Sequence, residues 1–138
     1  MDEATVQAVP IGWSPEERAE VEAGIVRYPA ESPHCAALAR IIHRLAMPKD
    51  ERTRGIQLSQ SGDGNPWLVL KRGHPRRWWT HTLVETVGHD ADALTGADGC
   101  PSQQYLERHF QFHEGIVVRE IDVLTVDTWI EQEEGGGQ

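Results

Sequence analysis

Trp78-Trp79-Thr80-His81-Thr82-Leu83-Val84-Glu85-Thr86-Val87, followed by Gly88-His89 and then Asp90-Ala91-Asp92-Ala93-Leu94-Thr95, is the stretch that decides the fold. The first part is dominated by aromatic and β-branched residues, which suit a pleated, half-buried surface. Gly88-His89 can turn the chain, and Asp90 to Thr95 can return as the partner strand. Side chains alternate along a strand, so His81, Leu83, Glu85 and Val87 share one face, with Trp79 and Leu83 flanking His81. A histidine among apolar neighbours is either a solvent-facing edge residue or a residue placed for chemistry. With Gly88-His89 as a two-residue turn, Asp92 pairs with Glu85 and shares the face of His81. The two would then be offset by about four positions, or roughly 13 Å. A strong twist, a bulge or a longer turn has to close that gap. Asp90 has the same parity but lies farther away, and Asp98 in the next turn is a third candidate partner.

Beyond the hairpin, Pro101 to Phe110 reads as a short helix with Tyr105, Leu106, His109 and Phe110 near one face. Ile116 to Leu124 reads as a late strand. Glu131 to Gln138 is an acidic, glycine-rich tail expected to be disordered. Upstream, Trp67 to Leu70 reads as a short strand and Lys71 to Arg77 as a basic connection. Residues 48–66 are polar and rich in breakers, so a long surface loop is expected, with a short strand at Ile56-Gln57-Leu58.

Two helices come first. Ser14-Pro15-Glu16-Glu17 has the spacing of a capping box with proline at the first helical position. Val21, Ile25 and Tyr28 follow as a narrow apolar stripe, and Pro29 ends the run. The second helix is expected from about Pro33 to Met47, with Leu38, Ile41, Ile42 and Leu45 on one face. Helices followed by an antiparallel sheet predict an α+β domain, with the N-terminal helices packed on a small antiparallel β-sheet. The expected organisation is a flexible terminus over 1–12, one domain over 13–130 and a disordered tail over 131–138.

The bulk numbers agree. A chain of 138 residues suits one domain with its own hydrophobic core. A net charge of −9 disfavours nucleic-acid and acidic-membrane partners. No apolar run approaches the length of a membrane span. Met1-Asp2-Glu3-Ala4 lacks the basic start and apolar stretch of a signal peptide. The expected location is therefore cytoplasmic, or a target cell reached without a cleavable signal. Cys35 and Cys100 do not make a disulfide framework, and free thiols are expected.

Cys35 lies in Glu31-Ser32-Pro33-His34-Cys35, where Ser32 can cap and Pro33 suits the first turn. A thiol at a helix N-terminus sits near unpaired N–H groups that favour its anion, and the thiolate is the reactive form. The competing reading is a small buried residue on a core-facing helix. A nucleophilic cysteine needs a histidine within reach, and the histidine needs an orienting group. His81 and Asp92 are the best placed.

Three pieces of the chain carry a family resemblance: Pro33-His34-Cys35-Ala36-Ala37, then Trp79-Thr80-His81-Thr82-Leu83-Val84-Glu85, then Asp92-Ala93-Leu94-Thr95-Gly96. In order and spacing they resemble the papain-like cysteine hydrolases. They are most similar to the small papain-fold toxin domains of bacterial polymorphic toxins. The match spans Ser32 to Phe110. The resemblance implies a papain-like fold, with Cys35 as nucleophile, His81 as general base and acid, and Asp92 as the orienting residue. It implies acyl transfer through a thioester on Cys35, giving peptide hydrolysis, glutamine deamidation or transfer to an amine. It implies no cofactor, a protein or peptide substrate, and an immunity protein as a further partner. Trp79 and Arg77 are the residues expected to touch substrate. The chain departs from papain-like peptidases in lacking a glutamine a few residues before Cys35, Gln7 being far upstream.

Two rival readings remain open in the sequence. Lys71, Arg72, Arg76 and Arg77 with Trp78 and Trp79 form a basic and aromatic segment suited to binding an anion or an acidic peptide without catalysis. His109 and His113, with His34, Cys35 and Cys100, are the residue types of a metal site. Their spacing matches no established zinc pattern.

Overall fold

The computed structural model describes residues 11–30, 32, 34–61, 66–71 and 77–125, and in β3 the side chain of Arg77 lies outside the described residues. It is an α+β arrangement of three helices and a five-stranded antiparallel sheet, with a smaller three-stranded sheet beside it. The helices are α1 (Pro15–Arg27), α2 (Cys35–Ala46) and α3 (Ser102–His109). The strands are β1 (Arg54–Gln60), β2 (Leu68–Leu70), β3 (Arg77–Trp78), β4 (Thr80–Thr86), β5 (His89–Ala91), β6 (Cys100–Pro101), β7 (Phe110–Gln111) and β8 (Ile116–Ile121). The large sheet runs β6-β5-β4-β1-β8 and the small one β3-β2-β7.

Helix α1 begins as its sequence predicts. The Ser14 side chain accepts the Glu17 N–H, and the Glu17 carboxylate accepts the Ser14 N–H. Helix α2 begins two residues later than expected. Its N-cap is His34, with no side-chain cap bond, and Ser32 Oγ accepts the His34 N–H at 3.2 Å. Pro33 lies outside the described residues. Cys35 is thereby the first helical residue, closer to the end of the dipole than the sequence places it.

Strand β4 is covered on both faces. Val84 joins Val21, Leu38, Ala39, Ile42, Ala91 and Val123 in a core shared with α1 and α2. Leu83 joins Ile56, Leu58, Leu68, Trp78, Tyr105 and Phe110 in a second core shared with the small sheet and α3. Ile11, counted with the flexible terminus in the sequence reading, is 1% exposed and belongs to the first core. Residues 1–10 and the expected tail at 131–138 lie outside the described residues.

Three expectations are corrected. The short strand expected at Ile56-Gln57-Leu58 inside a long loop over 48–66 is a seven-residue central strand: β1 pairs with β4 on one side and β8 on the other. Its polar residues mask its extent in the sequence, and its glycine serves a close approach. A Cβ on Gly55 would lie 2.5 Å from Val123 Cγ1 and 2.9 Å from the Ile121 carbonyl oxygen. Second, the strand from Trp78 to Val87 is not continuous. It breaks at Trp79, so Trp78 belongs to the small sheet and His81 to the large one.

Third, the hairpin turn is Val87-Gly88, with Thr86 opposite His89 and Glu85 opposite Asp90. Both turn residues have positive φ, 51° and 75°. This is the backbone that a two-residue turn needs and that a β-branched residue resists. Val87 is held there by its N–H, which donates to Asp50 Oδ2 at 2.9 Å. The late strand ends at Ile121, and the helix expected from Pro101 spans Ser102–His109 with Phe110 already in β7.

Candidate functional site

Moving the turn by one residue moves the pairing by two. Continuing the observed register places Asp92 opposite Leu83, two positions from His81 rather than four. Because the shift is even, Asp92 keeps the face of His81. The gap falls to about 7 Å along the strand, within reach of two side chains. His81 Nε2 and Asp92 Oδ2 are 2.7 Å apart, and each residue is 2% exposed.

Asp92 is held by its own turn. Strand β5 ends at Ala91, and Asp92 Oδ1 accepts the N–H groups of Leu94 at 2.9 Å and Thr95 at 3.1 Å. Thr95 Oγ1 in return accepts the Asp92 N–H at 3.1 Å. The turn closes at Gly96, whose φ of 76° suits glycine. Asp92-Ala93-Leu94-Thr95-Gly96 is thus a reciprocal cap that aims Oδ2 back at β4. A second donor reaches Oδ2 from the helix side, the hydroxyl of Tyr105 in α3. Burial opposes ionisation of Asp92, but the hydrogen bond and charge of His81, with the Tyr105 bond, hold its carboxyl below the ordinary value. Burial first, and then the Asp92 charge, push the Tyr105 phenol well above its ordinary value, so it stays a donor.

Cys35 reaches the same place from the other face of the sheet. Strand β5 pairs with β4 only from Val84 to Thr86, which leaves the edge of β4 at His81 and Thr82 uncovered by β5. The Cys35 Sγ fills that notch and accepts the Thr82 N–H at 3.5 Å. Cys35, His81 and Asp92 all line one narrow cleft with Tyr28, Leu38, Trp78 and Leu94, a space of about 250 Å³ that includes its open mouth. Trp78 lies flat on the His81 ring, with centroids 4.3 Å apart and planes 18° apart. Among the described residues, the buried His81 Nδ1 has no hydrogen-bond partner. With Nε2 committed to Asp92, Nδ1 is the nitrogen left for chemistry.

The remaining candidates lie elsewhere. Trp79 is exposed at 46% and packs edge-on against Trp67, with centroids 5.3 Å apart, while Trp78 takes the place beside His81. The strand break at Trp79 causes this exchange. The side chain of Arg77 and residues 72–76 of the basic segment lie outside the described residues, and Lys71 Nζ donates to the Glu107 carbonyl at 2.6 Å. Asp98 is exposed and pairs with Arg18. Asp90 accepts from the Ser102 hydroxyl at 2.7 Å. Both cysteines are free; Cys100 is buried, and burial pushes its thiol up.

His109 ends α3 and His113 begins a separate short helical turn, so the two do not share a helix face. Among the described residues no group of three or more His, Cys, Asp or Glu could hold a metal ion. No helix among them is long and apolar enough to cross a membrane.

Sequence reasoning missed Tyr105 as a site residue, although it placed Tyr105 near one face of its helix with Leu106, His109 and Phe110. A helix eight residues long carries no signal of which strand it will meet. Trp78 was visible only as a neighbour of the expected Trp79. Comparison with protein-family models, with curated proteins and with solved structures gives no match in any of the three.

Proposed function

We propose that this chain is a cysteine-dependent acyl-transfer hydrolase of papain-like type, a peptidase or glutamine deamidase with Cys35 as its nucleophile. The observation that carries the reading is the unpartnered, buried Nδ1 of His81, a residue that lines one cleft with Cys35 while its Nε2 is held by Asp92. A nucleophile, a base and an orienting carboxylate are the parts this chemistry requires, and Cys35, His81 and Asp92 have those residue types along one cleft.

In the proposed reaction His81 takes the proton of the Cys35 thiol, and the thiolate attacks a carbonyl or carboxamide carbon. The new S–C bond pushes the carbonyl electron pair onto oxygen, where the Cys35 N–H at the start of α2 can donate to it. When the C=O re-forms, the C–N bond breaks and the imidazolium gives its proton to the departing amine or ammonia. Water then attacks the thioester with His81 taking its proton, and the Cys35 sulfur leaves. Asp92 keeps the imidazole oriented and stabilises its charged form.

By the chain's likeness to toxin domains, the substrate is a protein or peptide in a target cell, and an immunity protein would cover the Cys35 cleft. The test is a screen for peptide cleavage and for ammonia release, comparing wild type with Cys35→Ala. Activity lost by at least about a thousandfold in the variant supports the reading. Iodoacetamide labelling supplies a substrate-free check: Cys35 should react faster than Cys100 below pH 7, and His81→Ala should slow it. Equal, slow labelling of both thiols would point to a structural cysteine.

A further inference from the structure

We propose that Tyr105 is a positioning residue of the Cys35 site, its hydroxyl clamping Oδ2 of Asp92 and moderating that carboxylate's pull on His81. The proposal rests on the acyl-transfer reading above and deepens it. The geometry is specific. His81 Nε2 and the Tyr105 hydroxyl meet the same carboxylate oxygen, while Leu94 and Thr95 occupy the other. Asp92 therefore accepts bonds from four donors and is fully satisfied inside the fold.

Tyr105 is itself held from several sides. It is 1% exposed and packs on Phe110 and His109, with centroids 5.8 Å and 5.0 Å away. One helical turn earlier, Ser102 of the same helix donates to Asp90. Two hydroxyls three residues apart on α3 thus bind two carboxylates two residues apart at the end of β5. The helix is docked by the residues that serve the site.

A hydrogen bond to Oδ2 spreads the negative charge that His81 faces. Without it, Asp92 would stabilise the imidazolium more strongly, and the thiolate–imidazolium pair would persist over a wider pH range. The ionisable groups around this centre are Tyr28 from the end of α1, Cys35 from α2, His81 and Glu85 from β4, Asp90 from β5, Cys100 from β6, and His109 with Tyr105 from α3. All but Tyr105 remain unchanged in the variant below.

The test is the rate of Cys35 alkylation by iodoacetamide as a function of pH, in the full chain and in Tyr105→Phe. The expected result is an alkaline limb, set by loss of the imidazolium proton, that moves up by about half a pH unit or more while the acid limb stays in place. Site-specific difluorotyrosine at 105, a stronger donor of nearly the same shape, should narrow the plateau. It serves as the decisive variant where Tyr105→Phe is too unstable to assay. A lower plateau with both limbs unmoved would overturn the proposal and leave Tyr105 a packing residue, with the nucleophile reading intact. Failure of wild-type Cys35 to label preferentially would instead remove the reading on which the proposal rests.

Discussion

Asp90 and Asp92 stand two residues apart at one end of β5, and the fold gives them opposite electrostatic fates. Asp92 is the more deeply buried, yet its carboxyl is held below the ordinary value because donors surround it. Asp90 receives one side-chain bond, from Ser102, and faces Glu85 and Asp92; burial pushes it up to about 7. Burial alone would predict the reverse order. Donors, rather than depth, decide which carboxylate carries charge, and the charged one is the one that faces His81.

The contrast breaks most visibly at Asp92. Asp92→Ala leaves His81 Nε2 and the Tyr105 hydroxyl buried without an acceptor, and frees the N–H groups of Leu94 and Thr95. The expected loss is about 3–5 kcal/mol of stability in urea unfolding, with Cys35 labelling at low pH abolished. A chain as stable as wild type would mean that Asp92 does not organise this corner.

Asp90 should behave the other way. Unfolded, its carboxyl loses its proton near 3.8, whereas in the folded chain it keeps the proton up to about 7. Between those values the folded state binds more protons, so this group's contribution to stability falls as pH rises. Asp90→Asn should remove that fall and stabilise the chain at pH 8 by on the order of 2–4 kcal/mol relative to wild type, with little effect at pH 4. Unfolding curves at the two pH values read it directly, and an equal effect at both would show that Asp90 is not protonated in the fold.

Two smaller changes sharpen the picture. Val87→Asn places a residue that tolerates positive φ at the turn setting the register of both aspartates. It should stabilise by about 1 kcal/mol without shifting the pairing. A destabilised variant would show that the exposed valine side chain contributes more than its backbone strain costs. Ser102→Ala removes the donor that opposes the rise of Asp90. It should destabilise by about 0.5–1 kcal/mol at pH 8 and by less at pH 4, where the acid is protonated in both chains.

Much of the site could be read from residues alone. The capping box at Ser14 needs only residues three apart, and local hydrogen bonds carry that information. Cys35 was placeable at a helix start because the apolar period begins there, although the cap itself proved to be His34. Asp92 was assigned to the face of His81 by parity, which survives any even slip of register. The distance between them was not legible, since it depended on Val87 taking a conformation that β-branched residues avoid. Asp50, 37 residues away, accepts the N–H of Val87 in that conformation.

By itself, then, the sequence determined the local devices: helix starts, the aromatic and β-branched strand, and the residue types capable of thiol chemistry. Each follows from interactions within a few residues, where spacing and backbone preference suffice. Only the tertiary structure decided that the chain breaks at Trp79 and lays Trp78 over His81. It also decided that β1 is central and that Tyr105 reaches Asp92. These depend on which surfaces bury each other and which donors find acceptors across the fold, and residue order along one strand or helix does not encode that.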